Sequence, residues 1–300
     1  MRNRTALIIV IIILLGLVLC CCLGAVALVS TRTYVTPRAQ LMPRVPGVPA
    51  VPELPRSPII PRTTVVRGTG PVIERTIAVE ALEGVRLEAP GDLFVEWGEK
   101  HTLRIEAQSG IIDYIDVRSS AGVLIIAQRP NVSFTRTEPI RYHLTVPPFG
   151  QAVTMGSGNI WMPEIYGGQV DLETFGSGDI VTGPVEADHM NVRVNGSGDC
   201  RVDGLVAESL SVVSLGSGST MVGPGRVSEQ NVSLNGSGDY LAPELVSREA
   251  SVSILGSGDA ELQVEEALAA KLMGSGDLRY IGSPEITSDV LGSGRLRQLR

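Results

Sequence analysis

The sequence predicts an all-β protein, a right-handed parallel β-helix or solenoid with about 18–20 residues per coil, preceded by one N-terminal transmembrane helix. Three observations predict this fold. The tripeptide Gly-Ser-Gly occurs eight times at intervals of 18 or 20 residues, apolar and polar residues alternate on both sides of it, and an uncharged apolar run lies near the N-terminus. Right-handedness is expected because crossovers between parallel strands are overwhelmingly right-handed.

The N-terminal segment is predicted to anchor the chain in the plasma membrane. Residues 6–29 are 24 consecutive uncharged residues, which as a helix would be about 36 Å long and would cross a hydrocarbon core of about 30 Å. Residues 1–5 form a short tail that contains Arg2 and Arg4. Positive charges before a membrane-spanning helix favour a cytoplasmic location, so this tail is predicted to be cytoplasmic. The sequence therefore predicts a single-pass protein whose N-terminus is inside and whose solenoid is extracytoplasmic.

Cleavage of this segment is the main alternative to an anchor. Ala25-Val26-Ala27 has the pattern of a signal-peptide cleavage site, although the apolar run is longer than the usual signal-peptide core of about 7–15 residues. Lipoprotein processing at Cys20 is a third option, which Leu17-Val18-Leu19 disfavours because it lacks small residues. All three routes export the rest of the chain.

Residues 30–70 are predicted to be a proline-rich spacer. Proline recurs at every third position, at Pro43, Pro46, Pro49, Pro52, Pro55, Pro58 and Pro61. Polyproline II has three residues per turn, so these prolines lie on one face of an extended rod. At about 3.1 Å per residue the rod is about 55–60 Å long, which holds the following domain away from the membrane.

The charge distribution excludes nucleic acid as a partner. Residues 1–67 contain eight arginines and one acidic residue, whereas the remainder contains 17 basic and 31 acidic residues. A domain with this excess of acidic residues cannot neutralise the phosphate backbone of a nucleic acid.

Cys200 is the only cysteine outside the apolar run, so no disulfide framework and no thiolate metal site can form. We expect it to be a buried small apolar residue.

The repeat occupies residues 149–300. Each coil is predicted to contain a strand, the Gly-Ser-Gly corner, a second strand, a second corner and a shorter third side. Glycine at the first corner would permit a positive φ and a close approach of neighbouring coils. The predicted structural corner glycines are Gly156, Gly158, Gly176, Gly178, Gly196, Gly198, Gly216, Gly218, Gly236, Gly238, Gly256, Gly258, Gly274, Gly276, Gly292 and Gly294.

Residues 71–148 are rich in strand patterns but lack the tripeptide. Terminal repeats of solenoids are commonly atypical, so this segment is predicted to be the capping part of the solenoid. Either distorted coils or a small separate sheet fit its sequence.

An acidic column is predicted beside the glycine corner. In five copies the residue after Gly-Ser-Gly is an aspartate: Asp179, Asp199, Asp239, Asp259 and Asp277. Hydrogen bonding to nearby backbone is the favoured role of these carboxylates. A ladder of like charges is unfavourable unless each is hydrogen-bonded, solvated or bridged by a cation, so the same residues are weak candidates for binding calcium. No catalytic or cofactor-binding residue is predicted.

The repeats and the segments before them carry a family resemblance. Glu83-Gly84-Val85, Asp92-Leu93-Phe94-Val95 and Leu144-Thr145-Val146-Pro147-Pro148 precede the GSGD series. Over residues 75–295 the chain resembles the auto-transporter adhesin, head GIN domain family of bacterial envelope proteins. The resemblance implies an exported β-solenoid with an N-terminal signal or anchor, and it supplies no catalytic motif.

Three functions compete for this sequence. The favoured one is a non-catalytic, adhesin-like binding module that presents a rigid rod to an envelope protein or glycan. The alternative is an envelope-stress sensor or scaffold that works through protein contacts. A polysaccharide-active enzyme is least favoured, because its paired carboxylates would belong to one tuned site, whereas here the acids repeat identically. The charged C-terminal residues oppose stacking into filaments.

Overall fold

The computed structural model describes residues 63–135 and 138–299. These residues belong to one unit that spans residues 59–300. The predicted cytoplasmic tail, transmembrane helix and proline repeat lie outside the described residues. Within the described ranges no helix is long and apolar enough to cross a membrane.

The described residues form 23 β-strands and one short 3-10 helix, Ile112–Tyr114, so the predicted all-β solenoid is confirmed. The strands are β1 Thr64–Arg67, β2 Val72–Ala78, β3 Gly84–Leu87, β4 Asp92–Trp97, β5 Thr102–Gln108, β6 Ile115–Ser120, β7 Val123–Gln128, β8 Val132–Thr135, β9 Arg141–Val146, β10 Gln151–Thr154, β11 Asn159–Met162, β12 Ile165–Thr174, β13 Ile180–Thr182, β14 Val185–Val194, β15 Cys200–Val202, β16 Leu205–Ser214, β17 Thr220–Val222, β18 Gly225–Leu234, β19 Tyr240–Ile254, β20 Ala260–Leu272, β21 Leu278–Ile281, β22 Glu285–Val290 and β23 Leu296–Gln298.

Each coil has three sides of unequal length. The second half of β12 forms the first side and β13 forms the second, with Gly176-Ser177-Gly178 between them. The first residues of the following strand, β14, form the short third side. Buried and partly exposed residues alternate along the first two sides, as the period-two pattern predicts.

Successive coils stack in parallel and in register. Val192 pairs with Leu172 on one side and with Val212 on the other, so each inward residue contacts its equivalents 20 residues away. The change from 20-residue to 18-residue coils occurs between β19 and β20, where the register shifts between Ala242 and Val246 and again between Ser247 and Glu249. The next 18-residue coil pairs with β20 without a shift. The two residues that the shorter coils lack are therefore missing from the second corner and the third side, and the glycine corner is preserved.

The capping part contains two coils that stack out of chain order. β3 pairs with β7 and β10, and β4 pairs with β9 and β11, all in parallel. Residues 84–97 therefore lie between the coil of residues 123–146 and the first glycine coil. β5 and β6 then close the stack by pairing antiparallel with β9 and β7. These two strands satisfy sheet edges that would otherwise leave backbone N–H and C=O groups unpaired.

The core is mainly aliphatic, with a few aromatic residues such as Tyr142 and Tyr240, and contains no buried charged residue among the described residues. Its buried polar groups are hydroxyl and amide side chains, and Tyr240 and Gln230 form the largest pair. The Tyr240 hydroxyl donates to Gln230 Oε1 at 2.7 Å, and Gln230 Nε2 donates to the Leu245 carbonyl at 3.3 Å. Burial raises the pKa of Tyr240 far above its usual range, so the ring stays neutral.

Candidate binding surface

The Gly-Ser-Gly corners pack directly on one another. A β-carbon on Gly176 would lie 2.1 Å from the Gly156 carbonyl oxygen, and a β-carbon on each later corner glycine would lie 1.9–2.2 Å from its equivalent in the preceding coil. None of these glycines has a positive φ, so the corner does not use the positive φ that glycine permits. Close approach of two backbones alone excludes a side chain here.

The corners are also joined by backbone hydrogen bonds. The Gly156 carbonyl accepts from the N–H groups of Ser177 and Gly178 at 2.9 and 3.1 Å. The same forked pattern continues to the last corner, where the Gly274 carbonyl accepts from Ser293 and Gly294 at 3.0 and 3.1 Å. The corner is therefore a continuous hydrogen-bonded seam along the solenoid.

The residues after the tripeptide form a second seam. Asp179 Oδ1 accepts the backbone N–H of Asp199, and Asp199 Oδ1 accepts that of Ser219, both at 2.8 Å. Asp239, Asp259 and Asp277 accept from the next coil in the same way, at 2.8, 2.8 and 2.9 Å. A dipole from the next coil thus compensates each carboxylate, which explains how a ladder of like charges is tolerated.

This seam extends beyond the predicted aspartates at its N-terminal end. Asp92 begins it, because the Asn159 side chain donates to Asp92 Oδ1 at 3.1 Å and Asn159 Oδ1 accepts the Asp179 N–H at 2.9 Å. In the sequence, only the dipeptide Gly91-Asp92 could have indicated that Asp92 belongs to the seam, because the full Gly-Ser-Gly tripeptide is absent there. Near the other end, Arg279 donates to Asp259 Oδ2 at 3.1 Å.

The aspartates lie on separate coils. Across the described residues, no group of three or more His, Cys, Asp or Glu side chains has a geometry that could hold a metal ion. Oδ1 of each of the five aspartates accepts a backbone N–H of the next coil, an arrangement suited to fixing the corner.

Cys200 lies in the core and is not positioned as a nucleophile. Burial, and secondarily the Asp199 carboxylate, raises the pKa of its thiol from about 9 to about 12. The reactive thiolate is therefore disfavoured. Cys200 pairs in register with Ile180 and Thr220, which confirms its inward position.

Aromatic rings form a row on the outer face of the second side. His143 stacks on Phe94 with 5.4 Å between ring centroids, and Phe94 stacks on Trp161 at 4.9 Å. The ring faces of Phe94 are thus occupied by its neighbours and are unavailable for stacking on a sugar. His143 Nε2 also lies 3.4 Å from Glu106 Oε1, so this row reinforces the capping part.

A shallow groove of about 470 Å³ runs along the third side, where sequence reasoning placed no site. The side chains that line it come from equivalent positions of three successive coils. Tyr166 and Val206 are 65% and 56% exposed. The groove is lined by Tyr166, Gly167, Glu186, Ala187, Asp188, Val206, Ala207 and Glu208. It combines an exposed aromatic ring, an aliphatic contact and three carboxylates, which suits hydroxyl-rich or cationic ligand groups.

An apolar ridge runs beside the glycine corner. In six of the eight coils the residue before the tripeptide is apolar and 39–58% exposed. These residues are Met155, Phe175, Leu215, Leu255, Met273 and Leu291. Asn195 and Asn235 interrupt the row in the other two coils, and exposed apolar side chains that cluster in this way are typical of surfaces that contact other molecules.

Comparisons with known proteins agree on the architecture. The family model described as "Putative auto-transporter adhesin, head GIN domain" matches residues 81–284. Solved structures of a putative lipid binding protein from Parabacteroides distasonis and a putative adhesin from Parabacteroides merdae share 22% and 19% sequence identity with the chain, with TM-scores of 0.73 and 0.72. Each match covers 79% of this chain and 100% of the other.

A putative adhesin from Bacteroides fragilis is more distant, at 17% identity and a TM-score of 0.60, and its match covers 78% of this chain and 100% of the other. No curated protein sequence matches the chain. At these identities the solved structures establish the similarity of fold.

Proposed function

Because the chain belongs to the putative auto-transporter adhesin, head GIN domain family, as its GSGD series predicted, we propose that it is a membrane-anchored, non-catalytic surface binding module. The solenoid is the binding domain in this proposal. In this proposal residues 6–29 anchor the domain, and the proline repeat that precedes β1 holds it outside the membrane, since β1 (Thr64–Arg67) already pairs with β8.

The groove on the third side is the observation that carries the proposal. Its exposed side chains contribute little to coil stacking, whereas the inward residues and the glycine corners account for stability. Tyr166 offers a ring face to solvent, and Glu186, Asp188 and Glu208 offer acceptors on neighbouring coils. Neighbouring coils are about 4.8 Å apart, a spacing that suits a ligand with repeated polar groups.

The acidic residues of the corner seam favour binding over catalysis. A glycosidase needs two carboxyl groups in different environments, one acting as acid and one as base or nucleophile. Here the carboxylates of Asp179, Asp199 and Asp239 share one environment, in which each accepts a backbone N–H from the next coil. Because the same environment is repeated in each coil, it does not set one carboxyl group apart as the acid and another as the base.

A binding and turnover experiment tests this function. The full chain, purified in detergent, is applied to immobilised glycans and extracellular-matrix proteins, and released sugar is measured in parallel. We expect saturable binding without product, and we expect Tyr166→Ala to weaken binding by at least about fivefold. Ser233→Ala, on the outer face of the first side, is the matched control and should leave binding unchanged. Release of soluble sugar by the wild-type chain would contradict the proposal.

Protease accessibility tests the topology. Spheroplasts that express the chain with an N-terminal epitope tag are treated with protease before and after lysis. We expect the solenoid to be accessible before lysis and the tag to be protected until lysis. A solenoid that becomes accessible only after lysis, or a tag lost with a cleaved leader, would overturn the anchored topology.

A further inference from the structure

The two ends of the solenoid differ in how their sheets are closed. At the N-terminal end, β5 and β6 lie antiparallel on β9 and β7. At the C-terminal end, β22 pairs only with β20, and β23 pairs only with β21, among the described residues. The C-terminal coil therefore presents two strand edges whose outer N–H and C=O groups have no strand partner in the described part of the chain.

The same coil exposes residues of the core. Ile286 and Val290 pair in register with Leu268 and Leu272, which are buried. Nevertheless, Ile286 is 39% exposed and Val290 is 43% exposed, because no described coil covers them. An exposed apolar strand edge is a template for pairing with another strand.

We propose that a second copy of this chain covers the C-terminal coil, forming a closed tail-to-tail dimer. A twofold axis through Ser293 reverses the second copy, so that β22 lies antiparallel to β23 of the other copy. Each copy would then close the other's sheets with antiparallel strands, as β5 and β6 do at the N-terminal end.

The residues of these strands that lie nearest the corner are complementary in that register. Val290 and Leu296 are equally far from Ser293 in the chain, so the axis places Val290 opposite Leu296 of the second copy. Both residues are inward-facing, which continues the apolar core. Directly opposed residues of antiparallel strands point to the same face.

The outward residues are complementary in charge. The same register places Asp289 opposite Arg297 of the second copy, and the twofold axis creates two such pairs in the dimer. Both residues are exposed, and neither forms an ion pair with another described residue. The strands thus bring together opposite charges, and the twofold arrangement closes without leaving an edge for a filament.

A charge-swap series tests the dimer with the full chain in detergent. The dissociation constant of the dimer is measured by sedimentation equilibrium. We expect Asp289→Lys and Arg297→Glu each to weaken the dimer by at least about tenfold, since each places like charges together twice. The double variant should recover to within about threefold of wild type. Glu99→Lys, an exposed position at the opposite end, should have no effect.

Folding and other occupants are monitored separately. Circular dichroism and the melting midpoint of each monomer should be unchanged, because both residues are exposed. Amide exchange in residues 285–290 and 296–298 should slow as protein concentration rises. A monomeric wild type, a dimer insensitive to both charge reversals, or protection independent of concentration would overturn the proposal. The last outcome would indicate that another segment of the same chain covers the coil. None of these readouts depends on ligand binding.

Discussion

At the scale of single residues, the glycine corner is fixed by steric contact between neighbouring backbones. The sequence correctly predicted close approach, because a tripeptide repeated at the coil period must contact its own copies. It could not predict the sign of φ, which depends on how the chain enters and leaves the corner. The carboxylate seam shows the same limit, since Asp92 plays its part in it without the tripeptide.

Gly196→Ala tests the steric explanation. The new β-carbon would lie 2.1 Å from the Gly176 carbonyl oxygen, so neighbouring coils must separate. We expect the free energy of unfolding to fall by about 1–3 kcal/mol, as for other overpacked sites. Gly167→Ala is the matched control, because the nearest atom to its β-carbon is 3.9 Å away. Equal effects of the two variants in urea titrations would refute the explanation.

Cys200 predicts a dependence of stability on pH. The folded chain holds the thiol proton up to about pH 12, whereas an unperturbed thiol releases it near pH 9. The stabilisation is therefore complete below about pH 9 and is lost as the pH rises towards 12. Cys200→Val lacks this contribution, so its free energy of unfolding should fall less steeply across that window. Parallel slopes for the two proteins in urea titrations would show that the burial of the thiol has no linked effect.

At the scale of elements, the coil was predictable and the cap was not. Period-two alternation and a constant repeat specify both the inward residues and the stacking partner of each strand. Residues 71–148 lack that repeat, and β3 and β7 stack next to each other although a large part of the cap separates them in the chain. Such pairing depends on tertiary contacts that local patterns do not encode. The groove was missed for a related reason, because Tyr166, Glu186 and Val206 occupy equivalent positions with unrelated side chains.

Removal of one repeat tests the modularity of the coil. Deletion of residues 196–215 joins Asn195 to Gly216, which has the role of Gly196 in the next coil. We expect a folded protein with an unchanged β spectrum and a lower melting midpoint, since each coil contributes its own interface. Deletion of residues 206–215 removes half a coil and disrupts the register of the strands. A cooperative melt of that half-coil variant, equal to that of the full-coil deletion, would contradict in-register stacking.

At the scale of the whole molecule, the proposed function assigns stability and recognition to different surfaces. The glycine and aspartate seams join the coils along one corner, whereas the groove lies on the third side and leaves its side chains free for contacts. This separation lets the groove vary in sequence while the seams repeat. It also explains why the repeat identifies the fold and carries no information on the ligand.

The most direct test of this assignment compares two variants on the same coils. The wild-type chain, Tyr166→Ala, and the double variant Asp179→Asn with Asp199→Asn are assayed against the glycan or matrix protein that wild type binds most tightly. Asparagine retains the Oδ1 acceptor, as Asn159 does for the Asp179 N–H. We expect the groove variant to bind at least about fivefold more weakly and the double variant to bind like wild type. Loss of binding in the double variant, with the groove variant unaffected, would place recognition at the corner and contradict the assignment.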